Sequence, residues 1–120
     1  NLAFELAWSS GKNPWSFKLS DSVGPWLSVG FSLADSGGRL TINDAPFDIP
    51  NLNPRRNEFR MVVDGSVVEI FCNRQEAITL RIYRKPDSPL TLNTRGSEYE
   101  GFVWGEAWQM NAISKDRLTS

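Results

Sequence analysis

Histidine is absent from the 120 residues. Its absence removes Ser-His-Asp and Cys-His catalysis and the commonest zinc ligand, so any chemistry falls to carboxylates, Tyr, Lys or a partner. The single cysteine, Cys72, excludes an internal disulfide and leaves the redox compartment open. No apolar run is long enough to span a membrane, so no membrane partner is expected. Thirteen Lys and Arg against fourteen Asp and Glu give a net charge of −1, without the basic excess that a nucleic-acid surface needs. No Asn-x-Ser/Thr sequon occurs, no segment repeats, and no stretch has the 3.6-residue period of an amphipathic helix. The chain opens Asn1-Leu2-Ala3 with neither initiator Met nor signal peptide, as expected of a segment of a longer polypeptide or a processed product.

What remains is short alternating strands. A hydrophobic content of 40% with 22% charged residues suits one globular domain spanning residues 1–120. The clearest stretch runs from Phe59 to Cys72, where Asp64-Gly65-Ser66 separates two β-branched runs and marks a tight hairpin. With Gly65-Ser66 as the loop, Asp64 faces Val67, Val63 faces Val68, Val62 faces Glu69 and Met61 faces Ile70. Side chains alternate along a strand. Phe59, Met61, Val63, Val68, Ile70 and Cys72 therefore share a core face, and Arg60, Val62, Asp64, Val67, Glu69 and Phe71 share the other. A third strand sends Ile78, Leu80 and Ile82 inward and Ala77, Thr79, Arg81 and Tyr83 outward.

Strands are also expected at 4–8, 15–20, 26–33, 39–43, 90–93, 102–104 and 108–113. Residues 44–57, with three prolines, are expected to be a surface connection, and 115–120 a frayed tail. Many short strands with Gly, Pro, Asn and Asp turns indicate an all-β fold, a two-sheet antiparallel β-sandwich of jelly-roll or concanavalin type. A closed barrel is the alternative.

Val62-Val63-Asp64-Gly65-Ser66-Val67-Val68-Glu69-Ile70-Phe71, followed by Glu76-Ala77-Ile78-Thr79-Leu80-Arg81-Ile82-Tyr83, resembles the C-terminal β-sandwich of glycoside hydrolase family 32. Invertases, levanases, inulinases and fructan exohydrolases belong to that family. Asp64, Ser66, Val68, Glu69, Phe71, Asn73, Thr79, Arg81 and Tyr83 fit its pattern, and Ala107-Trp108-Gln109-Met110-Asn111-Ala112-Ile113 is similar to its closing Trp-x-Leu strand. Gly65 stands where the family often has Arg, Val67 where it has Ser, and the loop Asn73-Arg74-Gln75-Glu76 lacks the usual Gly. The family's catalytic carboxylates sit in an N-terminal propeller, in Trp-x-Asn-Asp-Pro-Asn-Gly, Arg-Asp-Pro and Glu-Cys motifs that do not occur here. The resemblance thus implies a non-catalytic module, without cofactor, that supports the catalytic propeller domain of a parent chain. Some relatives bind fructan through this module, so the resemblance also implies fructose-containing oligosaccharide or polysaccharide as a partner, and a secreted or periplasmic setting.

Functional candidates gather on the outward face. Asp64 and Glu69 are diagonal neighbours roughly 7–8 Å apart at the backbone, a spacing that two glycosidase carboxylates could use. The plainer reading has Asp64 accepting from the turn amides and Glu69 pairing with Arg81 or Arg60, so no catalytic residue is assigned. Asp64, Glu69, Arg81 and Tyr83, with Arg60 and Phe71, supply acceptors, donors and rings for a fructosyl unit. The same residues would equally serve as a polar interface to the propeller. A free-standing lectin-like module is the alternative function. Trp8, Trp15, Trp104 and Trp108 are read as core, and Trp26 as the best candidate for an exposed stacking platform, with core the simpler reading. Arg55-Arg56 could clamp an anion or be a solvated pair. Asp35, Asp44 and Asp48 lack calcium-loop spacing, so no metal site is assigned. Cys72 is read as a small core residue and not as a nucleophile.

Overall fold

A computed structural model describes residues 2–11, 13–34, 37–53, 55–96 and 103–109, with backbone alone for 34, 95, 96 and 103–109. Among the described residues ten strands follow one another: β1 (Ala3–Ser10), β2 (Trp15–Ser20), β3 (Pro25–Ala34), β4 (Gly37–Ile42), β5 (Ala45–Ile49), β6 (Asn57–Asp64), β7 (Val67–Cys72), β8 (Glu76–Arg81), β9 (Thr91–Gly96) and β10 (Val103–Gln109). They form two five-stranded sheets, ordered β10-β1-β6-β7-β8 and β5-β4-β3-β2-β9. Every pairing is antiparallel. The architecture is the two-sheet sandwich expected from the strand rhythm, and not a closed barrel.

The core fills the space between the sheets. Phe4, Leu6 and Trp8 of β1 and Phe59, Met61 and Val63 of β6 face Trp15, Phe17 and Leu19 of β2 and Leu27, Val29 and Phe31 of β3, all buried. One end is aromatic: Trp8 stacks on Phe59 at 5.5 Å and meets Phe17 and Trp15 edge-on at 5.1 and 5.6 Å. Cys72 is buried here as a free thiol. Loss of hydration, then the charge of Glu76, pushes the thiol up to about 11, which leaves it inert at neutral pH.

Two expectations are corrected. Residues 44–57 are not wholly a connection, because Ala45–Ile49 form edge strand β5. Asn43 and Asp44, at φ 47° and 69°, make a two-residue turn that returns the chain onto β4, with Pro46 opposite Thr41. An edge strand tolerates a proline, whose missing N–H faces no neighbour. The other correction concerns the closing strands expected at 102–104 and 108–113: over the described residues 103–109 there is one strand, β10, while 102 and 110–113 lie outside them. Trp104 pairs with Trp8 and Glu106 with Ala7, leaving Gly105 as a bulge in a continuous ladder. The bulge shifts the alternation and makes one strand look like two. Residues 110–120 lie outside the described residues, as do Asp35 and the side chains of Trp104 and Trp108.

Glycine is required at two points by different constraints. Gly65, at φ 60°, occupies the first central position of the β6–β7 turn, where an L side chain is disfavoured. At Gly37, φ 143°, an added Cβ would sit 2.5 Å from the carbonyl oxygen of Ile49.

Candidate functional site

The β6–β7 hairpin adopts the expected register, with Asp64 opposite Val67, Val62 opposite Glu69 and Met61 opposite Ile70. β8 adds Arg81 beside Val67 and Thr79 beside Glu69. β1 lies on the other flank, with Glu5 beside Val62 and Ala7 beside Arg60. Three rungs therefore cross the outer face of this sheet. The first is Ala3, Asp64, Val67 and Arg81, the second Glu5, Val62, Glu69 and Thr79, and the third Ala7, Arg60, Phe71 and Ala77.

Asp64, Glu69 and Arg81 share this face as expected, Glu69 being a diagonal neighbour of both others. Their bonding differs from the expectation. Arg60 pairs with Glu5 on β1, and Arg81 Nη1 donates to Ser66 Oγ at 3.3 Å. Neither reaches Glu69, which forms no ion pair among the described residues. Nor does Asp64 hold the turn: the Gly65 N–H donates to the carbonyl of Leu2 at 2.7 Å. The reason is strand order, because β1 docks beside β6 and brings Glu5 and Leu2 as competing partners. Tyr83, 80% exposed, lies beyond the end of β8. The Ile82 N–H donates to Ser66 O, which sets that segment by the turn end of the face.

At the opposite end lies an open cleft of about 650 Å³. Ala7 and Ser9 of β1 border it, with Arg56, Glu58 and Arg60 along the entry to β6 and Phe71 and Arg74 at the end of β7. The face is thus two regions. Asp64, Arg81 and Tyr83 gather at the turn end, Glu69 lies between, and Arg60 and Phe71 belong to the cleft. Of the Arg55-Arg56 pair, Arg56 alone lines it. Glu58, Ser9 and Arg74 were not found from the sequence, because only pairing of distant segments unites them.

The turn carrying Arg74 is held by asparagines. Asn73 and Arg74 both take left-handed backbone, φ 52° and 59°. Asparagine tolerates this, whereas for arginine it costs about 1–2 kcal/mol. The Asn73 side chain donates to Asn57 Oδ1 and accepts from the Glu58 N–H, both at 2.8 Å. Asn57, 1% exposed, also accepts from the Asn53 N–H and donates to its carbonyl. One buried amide thus fixes the connection before β6 against the turn after β7.

The two sheets are clasped elsewhere by the link from β8 to β9. Arg84 donates to both carboxylate oxygens of Asp21, at 2.6 and 3.3 Å. The same carboxylate accepts from the backbone N–H groups of Val23, Gly24 and Asp87. The Arg84 hydrogen bonds lead, with the Asp87 and Gly24 amides behind them, in holding the Asp21 carboxyl well below the usual range. Trp26 lies beside this clasp, 3% exposed, its indole N–H donating to the carbonyl of Arg84 at 2.7 Å. It belongs to the core and is no stacking platform. Asp48 pairs with Arg39 and Asp44 sits in the β4–β5 turn; no group of three His, Cys, Asp or Glu among the described residues could hold a metal ion.

Comparison with solved structures finds the same fold in galectins. A toad ovary galectin in complex with thio-digalactose superposes with a TM-score of 0.58 at 12% identity, covering 88% of this chain and 87% of that one. Sheep galectin-11 in complex with glycerol gives 0.55 at 12% identity, over 92% and 91%. A tetrameric galectin from the ball sponge Cinachyrella gives 0.55 at 12% identity, over 89% and 90%. Such identities establish the sandwich architecture and nothing finer. No protein of curated function matches the chain. The profile described as glycosyl hydrolases family 32 C terminal matches residues 4–109, from the first strand to the last. The chain therefore belongs to the C-terminal domain family of the family 32 glycosyl hydrolases, the non-catalytic part of those enzymes.

Proposed function

We propose that this chain serves, within a longer polypeptide, as the accessory sandwich of a hydrolase acting on fructosides such as sucrose, levan or inulin. In this reading it steadies a catalytic propeller and offers the outer face of the β10-β1-β6-β7-β8 sheet to fructosyl carbohydrate. The observation that supports it is the placement of Glu69 between Asp64 and Arg81 on one face, with both carboxylates outside the ion pairs of the described residues. Such carboxylates accept from paired sugar hydroxyls, Arg81 donates, and Tyr83 offers an exposed ring.

A second reading, a free-standing lectin-like module, is favoured by the shared architecture with galectins, one of them in complex with thio-digalactose. Isothermal titration with fructose, levan, inulin and thio-digalactose separates the two. Heat with a fructan, reduced about tenfold in affinity by Glu69→Ala or Arg81→Ala, supports the fructosyl face. Heat with thio-digalactose alone supports the lectin. Silence with all four sugars removes the binding role and leaves mechanical support of the propeller.

A further inference from the structure

The cleft at the far end of this face has a different chemistry, and it points beyond fructosyl recognition: we infer that it binds a saccharide bearing an oxyanion, such as a uronate or a sulfated sugar. Among the described residues three guanidinium groups and one carboxylate, Glu58, line it in a chain whose net charge is −1. Glu5 neutralises Arg60, whereas Arg56 and Arg74 are exposed and form no ion pair among the described residues. Glu58 offsets one of these two charges and leaves the lining net positive, and a guanidinium fork matches a carboxylate or sulfate in two parallel hydrogen bonds.

Arg74 adds a second observation. It occupies left-handed backbone at φ 59°, where glycine would be relaxed, and the buried Asn57–Asn73 pair holds the turn in that shape. Backbone strain of this kind persists only where the surrounding structure enforces it, as the asparagine pair does here. The rest of the lining suits a sugar ring better than a bare ion. Phe71 offers an apolar surface and Glu58 an acceptor for hydroxyls, while Ser9, 6% exposed, forms part of the wall. About 650 Å³ also exceeds what a free anion needs and falls in the range of a small-ligand site. On the remaining side, β10 runs beside β1 with Glu106 across from Ala7 in register.

The test is titration of the full chain with digalacturonate, with galactobiose as its neutral counterpart, and with inorganic sulfate. Digalacturonate is expected to bind at least about tenfold more tightly than galactobiose, and to weaken as salt is raised. Arg74→Gly is the decisive variant, because it relieves the backbone and should raise Tm by a few degrees while lowering digalacturonate affinity by about fivefold or more. Arg56→Ala should lower it similarly, and Glu69→Ala should leave it unchanged. That last variant separates this cleft from the fructosyl face, so either can fail alone. Equal affinity for both sugars, no binding of digalacturonate, or undiminished affinity in Arg74→Gly would overturn the inference. Sulfate binding as tightly as digalacturonate would overturn its saccharide part.

Discussion

Asn57 shows how one side chain can set the shape of a site that it does not line. Its amide, 1% exposed, accepts from the Asn53 N–H and the Asn73 side chain, and donates to the Asn53 carbonyl. Truncating it removes three part-buried hydrogen bonds and leaves a gap where the amide was buried. Asn57→Ala should therefore cost about 1–3 kcal/mol, read as a lower urea midpoint with unchanged slope. It should also loosen the Asn73-Arg74 turn, detectable as faster amide exchange at Asn73, whose N–H now donates to the Glu58 carbonyl. A value within experimental error of zero would mean that water replaces these bonds without loss. By contrast the Arg39–Asp48 pair is exposed at both ends, and pairs of this type contribute little.

Among the elements, the hairpins are local and the clasp is not. Asp64-Gly65-Ser66 specifies its reversal through the freedom of a single glycine, and the register follows from alternation. The link after β8 is fixed instead by Asp21, which lies 63 residues before Arg84. Because the folded protein depresses the Asp21 carboxyl from its ordinary 3.8, the folded state binds that proton less readily than the unfolded chain does. The resulting stabilisation is fully present above about pH 4 and is lost progressively as the medium becomes more acid. Thermal melts of wild type and Asp21→Asn should thus differ by a constant amount between neutrality and mildly acid pH. Their difference should shrink below about pH 4. A difference that grows with acidification would show the clasp to be held by something other than that carboxylate.

At the level of the whole molecule, the two sheets are joined by an aromatic end and an aliphatic middle. Trp8 touches Trp15 and Phe17 across the sandwich and Phe59 on its own sheet. Trp8→Ala should cost about 3–5 kcal/mol, measured by chemical denaturation, because the surrounding rings cannot all close on the space it leaves. A cost near that of an exposed substitution would mean that the aromatic end is loosely packed. The cleft lies behind the same strands, bordered by Ala7 and Ser9 on either side of Trp8 in sequence. The inferred cleft thus backs onto the aromatic end of the core.

The choice of a sandwich over a closed barrel came from the strand order. Alternation and turn chemistry determined by themselves that this chain is all-β and that Asp64, Glu69 and Arg81 stand on one side of their sheet. Those are local properties, set by a period of two residues and by the backbone freedom of Gly65. The sequence also carried a signal for β5 in Asn43-Asp44, masked by the prolines that an edge strand tolerates, and for β10, masked by the bulge at Gly105. Only the tertiary structure decided which ions meet. That β1 docks beside β6, so that Glu5 takes Arg60 and leaves Glu69 without it, depends on pairing between residues some 55 positions apart. The gathering of Ser9, Arg56 and Arg74 around one cleft has the same origin, because it is the packing of whole strands that chooses among distant partners.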